Sequence, residues 1–162
     1  LKMPFLIRHP KEIEAGSVND NMILNVDFAP TLLDYAGVDV PDEFQGSSIR
    51  PLLNDEVPDQ WQTSMYYRYW MHLAGRNIYA HYGVRTHRYK LIYFYADGAG
   101  VEGAVQDDPR EPEWELFDLE KDPYELKNVY GDPAYAEVVS DLKDELHRLQ
   151  DKVKDERYEK DV

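Results

Sequence analysis

The side chains best able to hold a ligand are gathered in one stretch. Between Tyr66 and Tyr95 there is no Asp or Glu, while Arg68, Arg76, Arg85, Arg88 and Lys90 give the stretch a charge of +5. His72, His81, His87, Trp70 and eight of the 13 tyrosines lie in the same stretch. Arg and His donate hydrogen bonds to carboxylate, sulfate or phosphate, and Tyr or Trp stack on rings. The rest of the chain is acidic: the net charge is -14, and residues 102–125 hold ten carboxylates against Arg110 and Lys121. Two readings stay open. The stretch is a site for an anionic ligand, or it is an antiparallel sheet whose tyrosines pack and whose arginines pair with those acids.

Other chemistry is excluded or weak. There is no cysteine, hence no disulfide, thiolate metal site or cysteine nucleophile. Asp107-Asp108 next to Pro109 reads as a solvated loop. Asp97 with Gly98 and Gly100 lacks the later acid of a calcium loop, so no catalytic metal is expected in this segment. Asp27 reads as a helix cap. The negative charge disfavours nucleic acid and anionic membranes as partners, and no apolar run reaches the roughly 18 residues of a membrane span.

The elements that must position these residues follow from periodicity. The chain has 162 residues, 43% hydrophobic, which is enough for a core and about one domain. Residues 4–8 read as a short buried strand, and a helix starts at Asp27, with Phe28, Leu32, Leu33 and Ala36 on one face and Gly37 as its stop. Strands are expected at residues 65–70, 79–86, 89–95 and 115–118, with a loop over 97–112. After the cap Asp132-Pro133, Tyr135, Val138, Val139, Leu142, Leu146, Leu149 and Val153 recur at spacings of three and four, predicting a helix over 133–157. The first 50 residues hold too little strand to form a sheet and call for a partner. The chain also opens on Leu1 within an apolar run, as one cut inside a domain would.

Five segments, in order, resemble the formylglycine-dependent (type I) sulfatases. Pro4-Phe5-Leu6-Ile7-Arg8 is similar to the strand after that family's last metal-binding motif. Val26-Asp27 with Pro30-Thr31 and Ala36-Gly37 fits V-D-x-x-P-T-x-x-x-x-A-G, and Gln45-Gly46-Ser47-Ser48 with Leu52-Leu53 fits the next element. Gly83-Val84-Arg85-Thr86 with Arg88-Tyr89-Lys90-Leu91-Ile92 is similar to the family's G-V-R-T-x-R-Y-K-L-I hairpin. Glu115-Leu116-Phe117-Asp118-Leu119 with Asp122-Pro123, Glu125 and Asn128 resembles E-L-Y-D-L-x-x-D-P-x-E-x-x-N.

The resemblance implies an alkaline-phosphatase-like α/β enzyme, α+β as an isolated fragment. Residues 1–60 would be the tail of its catalytic domain, and 61–162 a C-terminal subdomain of about four antiparallel strands packed by one long helix. It implies a hydrolase of sulfate esters, sulfated carbohydrate foremost, whose calcium and C-x-[PA]-x-R formylglycine lie in an N-terminal catalytic domain that would be this segment's partner. Ser64-Met65-Tyr66-Tyr67-Arg68 has the spacing of that motif but carries Tyr66 where Pro or Ala is required, in a strand-like run. No catalytic residue or metal ligand is therefore expected here, and the segment alone should be inactive. By resemblance the acid-free stretch lies at the pocket entrance, where His72, His81 and Arg76 are the candidate substrate contacts. Arg85, Arg88 and Lys90 belong to the common hairpin and read as structural; Trp70 reads as core or rim, His9 as a packing variant, and His87 as exposed. A phosphate or phosphonate ester hydrolase of the same fold, and a stand-alone anionic-glycan binding module, are the competing readings.

Overall fold

A computed structural model describes residues 2–158; Leu1 and residues 159–162 lie outside them. The chain divides at Thr63/Ser64 into two compact units.

In the first unit, α1 (Phe28–Tyr35) and the single turn α2 (Arg50–Leu53) are the regular helices. α1 ends as predicted: Gly37, at φ 68, lets its own N–H reach Asp34 O and that of Val38 reach Leu33 O. Asp27 does not cap α1. Its carboxylate, 1% exposed, looks away from the helix and accepts from Leu24 N (2.7 Å), Ser47 N (3.0 Å) and Gln62 Nε2 (2.8 Å). Thr31 Oγ1 extends the bridge by accepting from Ile49 N at 3.0 Å, and Ser48 Oγ donates to Asp34 Oδ2 at 2.6 Å. The two motifs V-D-x-x-P-T and Q-G-S-S are thus halves of one hydrogen-bonded joint. Gly46 is required there, because a Cβ on it would lie 2.1 Å from the carbonyl oxygen of Val26.

The strand expected at residues 4–8 is not formed: the segment has no regular structure, and Leu6 is 96% exposed. A strand exists only by bonding to a neighbour, and the described residues offer it none.

The second unit is a four-stranded antiparallel meander, β1 (Ser64–Tyr69), β2 (His81–Thr86), β3 (Tyr89–Phe94) and β4 (Glu113–Asp118), in that order across the sheet. Alternation sends Tyr82, Val84, Leu91, Tyr93 and Leu116 to one face, where α3 (Ala136–Val153) covers them with Leu142, Leu146 and Leu149. Each such side chain contributes about 1.5–3 kcal/mol by leaving water. Asp132 caps the short 3-10 turn that leads into α3, accepting from Ala134 N at 2.9 Å. α3 stops at Val153, short of the predicted 157. Lys154 turns left-handed (φ 58), and Asp155 folds back to accept from Tyr66 Oη and Arg68.

The common hairpin is fastened by charge. Arg88 donates twice to Asp118, at 3.1 and 3.0 Å, and this holds the Asp118 carboxyl well below the usual carboxylate range. Lys90 pairs with Glu125. Along the outer edge of β4, Asn128 acts as a short substitute strand: its Oδ1 accepts from Leu116 N (3.0 Å) and its Nδ2 donates to Trp114 O (3.1 Å). Among the described residues no helix is long and apolar enough to cross a membrane.

Candidate functional site

Two loops meet at one end of the meander. One joins β1 to β2 and carries Trp70, His72, Arg76 and Tyr79; the other, between β3 and β4, carries Asp108 and Arg110. The backbone of both is tightly wound: Leu73, Asn77, Ala96, Ala99 and Asp107 have φ between 48 and 53. Non-glycine residues hold that conformation only where their surroundings over-determine it, which recurs at ligand sites.

His81 opens β2 on the face away from α3. Its ring lies among Tyr67, Tyr69 and Phe94, with centroids 5.8, 5.8 and 5.1 Å away. Nδ1–H donates to Tyr79 O at 2.7 Å, which leaves Nε2 as an acceptor with no bond among the described residues. Burial of the ring, and then the charge of Lys90, lower its pKa from 6.5 to about 4. At neutral pH this side chain therefore offers a lone pair, suited to a hydroxyl or an amide N–H, and no positive charge.

His72 sits elsewhere. It is fully buried, with Nδ1 accepting from Ala80 N at 3.0 Å and Nε2–H donating to Asp108 Oδ2 at 2.8 Å. With both nitrogens occupied it has no surface for a ligand, so the expected substrate contact is instead a buried latch between the loops. Asp108 is not the solvated acid that its neighbours Asp107 and Pro109 suggest. Its side chain is 3% exposed, and Arg110 grips it through Nε–Oδ1 (2.9 Å) and Nη2–Oδ2 (2.7 Å). The Arg110 guanidinium lies 4.2 Å from the centroid of the Tyr79 ring. Arg110 and Tyr79 are not among the candidates read from the sequence, and Asp108 reads there only as a solvated loop acid. The partner of His72 lies 36 residues away, so no local pattern marks the pair.

Arg76 stands exposed at the tip of the first loop, with no ion pair among the described residues. In the same connection between β1 and β2, Trp70 (49%), Ile78 (40%) and Tyr79 (37%) show apolar surface. The structure thus brings His81, Arg76 and an aromatic rim to one end of the sheet. It withdraws Arg68, which is buried among Trp70, Tyr82, Tyr95 and Tyr158 and paired with Asp155. Ser64, the serine of the rejected nucleophile pattern, donates to Glu145 at the start of a strand. Among the described residues no group of three or more His, Asp or Glu side chains converges as a metal would need.

A four-stranded meander backed by one helix, with its hairpin and edge fastened in this way, agrees with the C-terminal subdomain of an alkaline-phosphatase-like hydrolase that the motifs imply. The sequence matches the family described as N-sulphoglucosamine sulphohydrolase, C-terminal, over residues 1–152. It is 40% identical over 156 residues to an N-acetylglucosamine-6-O-sulfatase of Bacteroides thetaiotaomicron, covering 95% of this chain and 26% of that protein. To human arylsulfatase K it is 31% identical over 150 residues, covering 91% of this chain and 25% of the relative. A solved structure, described as a complex with its substrate D-glucosamine-2-N,6-O-disulfate, superposes with a TM-score of 0.81 at 38% identity, over 95% of this chain and 29% of that one. The chain belongs to the sulfatase family, as its C-terminal region, and spans about a quarter of the length of these relatives.

Proposed function

We propose that this chain is the C-terminal part of a sulfuric ester hydrolase acting on sulfated carbohydrate, to which it contributes scaffold and substrate rim. The observation that carries the reading is the 40% identity, through 95% of the chain, to a protein named as an N-acetylglucosamine-6-O-sulfatase. The rim agrees with it chemically: Arg76 suits an anionic substituent, Nε2 of His81 accepts from a sugar hydroxyl or amide, and the exposed Trp70 ring suits the apolar face of a pyranose. The sequence has no cysteine, and among the described residues no group of acids converges to hold the calcium that the resemblance implies. The calcium and the formylglycine are assigned to the part of the relatives that this chain does not span. Residues 1–60 are read as the tail of that catalytic domain and 61–162 as the C-terminal subdomain, with the catalytic domain as partner.

The test uses the full-length protein incubated with a 6-O-sulfated N-acetylglucosamine, an aryl sulfate and a phosphonate monoester, with free sulfate measured for the first two and the released alcohol for the third. Sulfate release from the sugar is expected, and His81→Ala or Arg76→Ala should raise its KM about tenfold, the effect of one lost hydrogen bond. Faster turnover of the phosphonate, or glycan binding without any hydrolysis, would overturn the proposal.

A further inference from the structure

The latch around His72 leads to His81 through an unbroken series of contacts. His72 Nε2–H meets Asp108 at 2.8 Å, and Asp108 is gripped by Arg110 at 2.7 Å. Arg110 covers the Tyr79 ring at 4.2 Å, and the Tyr79 carbonyl accepts from His81 Nδ1–H at 2.7 Å. The two loops are also joined at the backbone, where Val105 N donates to His72 O at 2.9 Å, and the His72 and Tyr79 rings pack 5.9 Å apart. A buried, charge-assisted pair of this kind holds its geometry well, since breaking it strands a desolvated group. What it holds is the carbonyl that selects the His81 tautomer. If that carbonyl moved, the proton could shift to Nε2, and the acceptor presented at the rim would become a donor.

We infer that His72 and Asp108 are positioning residues, which fix the tautomer and orientation of His81, through Arg110 and Tyr79, for recognition of a neutral donor on the substrate. This rests on the carbohydrate reading above and adds residues that touch no substrate. It also explains why a fully buried His–Asp pair lies in a loop junction at the edge of the unit rather than in the core beneath α3.

The test uses the full-length protein and the variants His72→Gln and Asp108→Asn, chosen to keep volume and some hydrogen bonding, with thermal melts to confirm folding. For the sulfated sugar, kcat/KM should fall about tenfold relative to that for an aryl sulfate, chiefly through KM. In a His81→Ala background the same changes should leave that ratio unmoved, because the linkage then has no end point. Equal losses on both substrates, or additive losses with His81→Ala, would overturn the inference and make the latch purely structural. Nitrogen–proton spectra of the imidazoles separate the two proposals: wild-type protein should show His81 protonated at Nδ1, and Asp108→Asn should mix the tautomers. A sugar left unhydrolysed by wild-type protein would remove the carbohydrate reading. An unchanged tautomer in Asp108→Asn would remove the linkage, whatever the substrate.

Discussion

Protonating His81 should cost the folded chain stability in a defined pH window. The ring sits among Tyr67, Tyr69 and Phe94, with Nδ1 already committed to Tyr79 O, and its pKa is lowered from 6.5 to about 4, first by burial and then by Lys90. Between about pH 4 and 6.5 the unfolded chain therefore binds more protons at this site than the folded one, so stability rises with pH across that window. The contribution is complete above 6.5 and lost as the pH falls to 4. The full displacement corresponds to about 3 kcal/mol. Because the ring is only half-buried, solvent screening reduces the expected figure to about 1–2 kcal/mol. The measurement is urea unfolding of wild type and His81→Gln at pH 7.5, 6, 5 and 4.5. Carboxylates that titrate in the same pH range are common to both proteins and cancel in the difference. Wild type should lose about 1–2 kcal/mol more than the variant as pH is lowered. Parallel pH curves, or a His81 ring proton titrating near 6.5, would refute the reasoning about burial.

Two further outcomes concern the scaffold. Asp27→Ala leaves the N–H groups of Leu24 and Ser47 and the amide of Gln62 without their acceptor, so the first unit should lose about 3–5 kcal/mol, and Asp27→Asn clearly less. Amide exchange at Ser47 reads this directly, and unchanged protection there would contradict the joint. Asn128→Ala should cost about 1–3 kcal/mol and speed exchange of the Leu116 amide specifically, since that N–H would lose its bond to the side chain along the β4 edge.

How far the sequence foretells this molecule depends on how local each signal is. The tyrosine-rich strands and the apolar stripe from Val138 to Leu149 are set by periods of two and 3.6, visible in any short window, and they form within one or two residues of expectation, apart from the trimmed ends of the second strand and of α3. Residues 4–8 are equally apolar, yet pairing is a property of the neighbour and cannot be read from the segment itself. Asp27 has the residue type of a cap, but its acceptors serve Ser47 and Gln62, 20 and 35 positions away. The charge pattern of residues 66–95 shows the same limit at the site. As a sum it is +5. As geometry, Arg68, Arg88 and Lys90 are each matched by an acid from outside the stretch, namely Asp155, Asp118 and Glu125. The structural reading of the composition therefore holds for those three; Arg76 and Arg85 are left without an ion pair among the described residues, and of the two only Arg76 is exposed and lies in the loop before His81. His81, drawn into the same argument because a histidine can carry charge, is a neutral acceptor in the proposed rim. A basic stretch inside an acidic protein thus locates a surface, while the chemistry of that surface is decided by which charges the fold cancels and which ring nitrogen it leaves free.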